Sequence, residues 1–249
     1  MAGRGVLVTG SGRGVGLAIA QAFARQGDRV AIHDLPSYEG LATVVRALPG
    51  SGHIAVTADL SDPEAVSEMV DEAAHSLGRL DVLVNNAGVF VYHPEAATSY
   101  DDWCAAWDKT LSTNLIGAVN STYCALRHMR ATGGRVVFIS SRGAFRGEPL
   151  APAYAASKAA LNAFAQSMAI AVARYGIGMS VVAPGFVDSP MATELLDGPE
   201  GESIRRQSPF HRVAQPSEIA AAVVFLASDE AEFTSGTILD VNGASYLRT

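Results

Sequence analysis

Short, continuously apolar runs recur along the chain, separated by longer stretches whose apolar residues fall at helical spacing. The runs predict seven strands, at residues 6–9, 29–33, 53–58, 81–84, 135–140, 178–183 and 237–241. Their cores ("VLV", "VAI", "VVFI", "MSVV") lack polar alternation, as strands covered on both faces do. The stretches between them predict helices over 16–26, 63–77, 107–130, 154–174 and 216–227, with Pro63 and Pro216 placed as helix starts. Strand and helix in alternation predict an α/β fold. This is a Rossmann-like, doubly wound parallel sheet of about seven strands, with helices on both faces and right-handed crossovers. No repeat, low-complexity tract or linker interrupts it, so residues 1–249 read as a single domain.

Such a sheet binds ligands beyond the carboxyl ends of its strands. The residues there are 10–16, Asp34 with Leu35, Asp59, 85–88, Ser141 and 184–187. The first of these loops reads Gly10-Ser11-Gly12-Arg13-Gly14-Val15-Gly16 and opens an apolar helix. Glycines let backbone turn sharply against a phosphate, and a helix start offers free N–H donors to it. The Lys-Ser/Thr ending of a nucleotide-hydrolysing loop is missing, and an acid follows at Asp34, eighteen residues beyond Gly16. That combination predicts a dinucleotide site and by itself names no reaction.

Composition narrows the partners. The 249 residues carry a net charge of −7, which gives no reason to expect nucleic acid, and no apolar run is long enough for a membrane span. The first strand starts close to Met1, so a soluble cytoplasmic protein without a leader is expected. Cys104 and Cys124 form neither a disulfide framework nor a zinc pattern, and the six histidines lack ligand spacing, so no metal is expected. Asp101 and Asp102, adjacent acids before a helix, read as solvated or capping residues rather than a catalytic pair.

The candidate chemistry lies in "SSRGAFRGEPLAPAYAASKAALNAF". Tyr154 and Lys158 stand four apart and share a helix face. Tyrosine, with a pKa near 10, is a poor base at neutral pH, and a neighbouring ammonium together with a positive nicotinamide ring is expected to bring it down. Ser141, at a strand end, is placed to bond a substrate oxygen. Arg142 and Arg146 follow it and give a weak hint of an anionic substrate.

Taken together the motifs resemble the short-chain dehydrogenase/reductase family along the whole chain. The resemblance rests on Thr9-Gly10-x-x-x-Gly14-x-Gly16, Asp59-Leu60, Asn85-Asn86-Ala87-Gly88, Asn114-Leu115, Ser141, Tyr154-x-x-x-Lys158 and Pro184-Gly185. It implies a catalytic set of Asn114, Ser141, Tyr154 and Lys158. In that set Tyr154 exchanges the hydroxyl proton, Lys158 lowers its pKa and binds the nicotinamide ribose, and Ser141 polarises the substrate oxygen. Asn114 fixes a water that links Lys158 to solvent. Cofactor contacts are implied for residues 10–16 (Gly10, Ser11, Gly12, Arg13, Gly14, Val15, Gly16), Asp34, Leu35, Asp59, Leu60, Asn86, Ala87, Gly88, Tyr154, Lys158, Pro184, Gly185, Val187 and Ser189. The pocket walls are expected within 186–209, with Phe145, Pro149 and His93. Departures are Ser180, Ser189, the tail "VNGAS", and a tryptophan offset in "DDWCAAW" that implies one extra helical turn before Asn114.

The resulting expectation is an NAD-dependent oxidoreductase that interconverts a secondary alcohol and a ketone, assembled as a homotetramer through its long helices. Two alternatives stand beside it: an NADPH-dependent reductase of 3-oxoacyl groups on acyl carrier protein, and a dinucleotide-binding protein without catalysis. NAD is expected over NADP because Asp34 would face a 2′-phosphate, although Arg13 pulls the other way.

Overall fold

The computed structural model describes residues 3–248. Seven parallel strands form one sheet in the order β3-β2-β1-β4-β5-β6-β7. They are β1 (Gly5–Val8), β2 (Arg29–Asp34), β3 (Ile54–Thr57), β4 (Val82–Asn85), β5 (Gly134–Ile139), β6 (Ile177–Pro184) and β7 (Ile238–Val241). Along β1, Leu7 points into one core while Val6 and Val8 point into the other, which explains the unbroken apolar run. One core lies under α3 (Pro63–Leu77), α5 (Gly117–Met129) and α7 (Pro152–Val172). The other lies under α1 (Gly14–Arg25) and α10 (Pro216–Leu226). Burying a side chain such as Phe23 or Leu83 completely contributes about 1.5–3 kcal/mol each.

The edges depart from the expectation of full burial. In β3 only Val56 is buried, with Ala55 and Thr57 exposed, and β7 is half-buried throughout. Each has a strand on one side alone, and β3 is shorter than expected at both ends. Helix α3 matches its expected span. Asp62 accepts the Glu64 and Ala65 N–H groups at its start, and Gly78 closes it with a left-handed φ of 74°.

The long helix before β5 starts earlier than expected and is not continuous. It runs from α4 (Tyr100–Leu111) into a wide π-helical turn, Ser112–Ile116, and on into α5. Ser99 caps α4 by accepting the Asp102 N–H, so Asp101 and Asp102 occupy the first turn. Further short helices are α2 (Leu41–Ala47), α6 (Gly143–Arg146), α8 (Thr193–Asp197) and α9 (Gly201–Arg206). No helix among the described residues is long and apolar enough to cross a membrane.

Candidate active site

The strand order reverses between β1 and β4, and a crevice opens there at the carboxyl ends. Thr9 ties the two strands together. Its hydroxyl donates to Val84 O at 3.3 Å and accepts from the Asn86 and Ala87 N–H groups at 3.0 and 3.1 Å. Asn86 Nδ2 donates to Thr9 O and Gly10 O, both at 2.9 Å. A Cβ on Gly16 would lie 2.2 Å from Gly10 O, so α1 approaches the loop this closely only with glycine there. Gly14, at φ +56°, faces Ser189 and Pro190 across the crevice. Helix α1 begins after Arg13 without a side-chain cap, which leaves its first N–H groups free for an anion.

His33 holds this loop from behind. Gly10 N–H donates to His33 Nδ1 at 3.1 Å, and His33 Nε2 lies 3.2 Å from Ala58 O. Nδ1 therefore accepts and Nε2 carries the proton, and burial lowers the imidazole pKa so that the ring stays neutral. Spacing along the chain singles out His33 for no role. Its position one residue before Asp34, at the end of a buried strand, was the available signal.

Asp34 closes the far side of the cradle. Its Oδ1 accepts the Leu35 N–H at 2.9 Å, and its Oδ2 would lie 2.7 Å from a Cβ on Gly12. Arg13 lies 5.9 Å over the Tyr38 ring, whose hydroxyl donates to Gly12 O at 3.0 Å. Among the described residues Arg13 makes no ion pair with Asp34. Free donors at a helix start, glycines that only bare backbone can occupy and a carboxylate at a strand end together fit a dinucleotide.

Some expected cofactor contacts are arranged differently. Ser11 is completely buried, and its hydroxyl donates to Val8 O and accepts from His33 N–H, so its side chain braces the loop instead of facing the crevice. Leu60 is buried against Gly117, where a Cβ would lie 2.7 Å from Leu60 Cβ; its side chain belongs to the core. Its neighbour Asp59 is exposed, and the Ser61 N–H and hydroxyl hold its carboxyl below the usual range. Pro184 ends β6 and receives the Arg142 N–H on its carbonyl, and Gly185 N–H donates to Val241 O. Val187 is nearly buried and bridges to Ala214.

The second half of the site gathers around α7. Tyr154 is its third residue and Lys158 follows one turn later, with Lys158 Nζ 5.7 Å from the Tyr154 ring centre. Lys158 is only 3% exposed and donates to Ile139 O at 2.8 Å. The wide turn carries Asn114, whose Oδ1 accepts Val89 N–H at 2.7 Å and whose Nδ2 donates to Val89 O and Ser157 Oγ. A Cβ on Gly88 would lie 3.3 Å from Asn114 Oδ1 and 3.4 Å from Lys158 Nζ, so both groups flank the same bare backbone. Ser141 Oγ accepts the Gly143 N–H at 3.0 Å and borders the Tyr154 hydroxyl.

In the protein alone, burial dominates the electrostatics of the pair. Burial pushes the Tyr154 phenol up to about 12, against the pull of the Ser141 hydroxyl, and the Glu148 carboxylate adds to the rise. Burial also brings Lys158 down to about 8. The lysine alone therefore does not lower the tyrosine. Desolvation dominates both groups, and the ammonium is turned onto Ile139 O. Glu148, unremarked in the sequence, is half-buried beside Gly143 with its own pKa raised by burial.

His93 lines a cleft between the loop after β4 and helix α4. It is 1% exposed, with Nδ1 2.7 Å from Val91 O and Nε2 accepting the Ala153 N–H at 3.3 Å. Its own N–H donates to Leu150 O. Helix α7 has no side-chain cap of its own at Ala151, so His93 supplies a partner for an N–H at its start, next to Tyr154. The extra turn of α4 backs this contact: Trp103 meets the imidazole edge-on at 5.3 Å and Trp107 follows at 6.1 Å. Phe90, on the same loop, packs 5.1 Å from the Tyr154 ring. Phe145 lies under Arg248 at 4.3 Å, covered by the C-terminal segment.

Known proteins resemble the chain along nearly its whole length. A family profile described as Enoyl-(Acyl carrier protein) reductase matches residues 10–244. The L-fucose dehydrogenase of Bos taurus is 38% identical, over 99% of this chain and 90% of its own. The cis-4-hydroxycyclohexanecarboxylate dehydrogenase of Sinomonas cyclohexanicum is 39% identical, over 96% of this chain and 95% of its own. Among solved structures, a short chain dehydrogenase from Burkholderia cenocepacia in complex with NADP is 34% identical, covers 97% of both chains and superposes with a TM-score of 0.88. Sequence and fold agree along nearly the whole length, and the chain belongs to the short-chain dehydrogenase/reductase family.

Proposed function

We propose that the protein interconverts a secondary alcohol and a ketone with NAD as the hydride partner, in one catalytic domain, and that Tyr154 is the group that moves the proton. The chain is an oxidoreductase of the CH–OH class that uses a nicotinamide dinucleotide. The observation that carries the residue assignment is the convergence of Asn114 and Lys158 on Gly88, with Tyr154 one helical turn before Lys158 and Ser141 against the Tyr154 hydroxyl. Bound in the crevice, the dinucleotide supplies the acceptor or donor of hydride.

The chain's own residues do the rest. Ser141 Oγ orients the substrate oxygen. Tyr154 Oη takes the hydroxyl proton in oxidation and returns it in reduction. Lys158 holds the cofactor ribose, and Asn114, fixed to Val89 and Ser157, keeps the wide turn and its water path in place. In oxidation the carbinol carbon would give up the hydride and its oxygen the proton, so that alcohol and NAD⁺ would give ketone, NADH and a proton.

NAD is favoured over NADP because Asp34 rests on Gly12 while Arg13 is turned onto Tyr38. A carboxylate near a 2′-phosphate at ~4 Å opposes it by about 4 kcal/mol per charge pair at an effective dielectric near 20, before screening. The two curated relatives are named as dehydrogenases of hydroxyl compounds, which does not favour the carrier-protein reductase. A full set of reacting groups speaks against a silent binding protein. Exposed Tyr123 (65%) on α5 and Ile170 (83%) on α7 support assembly through these helices.

The test is a panel of secondary alcohols and ketones with NAD(H) and NADP(H), followed by nicotinamide absorbance. Turnover with NAD at least tenfold more efficient than with NADP is expected. A folded enzyme that turns over no member with either cofactor would contradict the proposal.

A further inference from the structure

Two arginines beside the candidate site have partners that do not balance their charge. Arg142 is 3% exposed, and its Nη1 and Nη2 donate, each at 2.5 Å, to Ser245 Oγ and Gln207 Oε1, both neutral. Its guanidinium lies 4.9 Å from the Phe186 ring centre. Arg146 Nη1 reaches the same Gln207 Oε1 at 3.4 Å. The acid of this group is Glu148, 3.7 Å from Arg146 Nε. Arg212 nearby is already taken by both oxygens of Glu218, at 2.6 and 2.7 Å.

Two cations therefore share one carboxylate. A cation withdrawn from water is ordinarily matched by an anion, because its desolvation is costly otherwise. Burial here is strong enough to bring Arg142 down to about 10, so it remains charged at neutral pH without a full partner. Between the two guanidiniums stands a neutral amide oxygen, where a carboxylate oxygen would make charge-assisted bonds about twice as strong. Gln207 is exposed, so its side chain can swing away without opening the core. Arg142 also walls a cleft of about 180 Å³, bounded by Phe186, Phe210 and Ser245, which gives an incoming group room.

We propose that Arg142 and Arg146 form an anion subsite that receives a carboxylate borne by the substrate, with Gln207 Oε1 holding its place. This rests on the dehydrogenase reading and names the substrate class within it. Arg142 directly follows Ser141, so their Cα atoms are about 3.8 Å apart and an extended guanidinium lies no more than about 12 Å from the Ser141 hydroxyl. The substrate is accordingly a hydroxy acid, or the corresponding keto acid, with several carbons between the reacting carbon and the carboxylate.

The experiment compares 5-hydroxyhexanoate with its methyl ester in wild type, Arg142→Gln and Arg146→Gln. Wild type is expected to favour the acid at least thirtyfold in kcat/KM, with the ratio falling near one in Arg142→Gln and at least fivefold in Arg146→Gln. If Arg142→Gln does not fold, the exposed Arg146→Gln carries the comparison. Equal use of acid and ester by wild type, or a ratio unchanged in the variants, overturns the subsite and leaves the dehydrogenase reading standing. Calorimetry with hexanoate, which has no hydroxyl to oxidise, separates the two claims. Binding to wild type and not to Arg142→Gln supports the subsite even if no alcohol is turned over, and absence of binding to wild type overturns it.

Discussion

The two sides of the site are built in opposite ways. On the cofactor side, loop and strand ends are joined to one another by the chain itself: Thr9 to Val84, Asn86 to Thr9 and Gly10, His33 to Gly10. Little there has to move for a dinucleotide to enter. On the substrate side, Arg142 and Arg146 converge on an exposed amide, Glu148 is half-buried, and short helices α8 and α9 replace regular structure. The difference separates what is common to the reaction from what selects its substrate. A pre-formed cradle serves hydride transfer with any alcohol, while the substrate side keeps exchangeable partners for a ligand to replace.

The largest expected effect falls where the sides meet. Tyr154→Phe keeps the ring packed against Phe90 and removes the exchangeable proton. Steady-state turnover should drop by 10²–10⁴-fold, while dinucleotide affinity, followed by fluorescence titration, stays within a few-fold. Retention of most activity would break the division, since the proton group would then lie elsewhere. Next in size is Asp34→Ala, on the pre-formed side. Removing the carboxylate should erase a preference of tenfold or more for NAD, through a gain in kcat/KM with NADP. A wild type that prefers NADP would show that Arg13 leaves Tyr38 and governs the cradle.

The smallest effect probes the joint between the loop after β4 and α7. His93→Phe fills the same space without an acceptor for the Ala153 N–H, and kcat should fall about fivefold with KM for NAD little changed. His93→Gln, which restores an acceptor, should recover most of the loss. If both variants behave alike, the histidine contributes packing against Trp103 and nothing to the position of Tyr154.

Much of the pre-formed side was legible in the residues. Glycine at 10 and 16 is demanded by close backbone contacts and at 14 by a left-handed φ of 56°, which the loop pattern encodes, and the switch point follows from alternating strands and helices. Helix α3, expected over 63–77 with Pro63 at its start, came out with those bounds. The wide turn at Ser112–Ile116 was not legible, because one extra backbone residue in a helix leaves apolar spacing almost unchanged. The role of His33, and the bond of His93 to Ala153, were missed for a similar reason: each is defined by the backbone groups its ring meets, and those come from distant segments. In the protein alone, burial also dominates at Tyr154. Sequence shows that a lysine stands nearby, but not that both groups lose their water.

The central claim, that Tyr154 takes the proton in oxidation and gives it in reduction, is tested most directly by kcat/KM against pH in both directions. Oxidation needs the phenolate. With burial holding the phenol up toward about 12 in the protein alone, oxidation should climb as pH rises toward the ionisation of Tyr154. Reduction needs the phenol, so it should be level near neutrality and fall as that same ionisation is reached. Opposite slopes that share one midpoint, both lost in Tyr154→Phe, are the predicted result. Parallel slopes in the two directions, or opposite slopes that survive in Tyr154→Phe, would contradict the assignment.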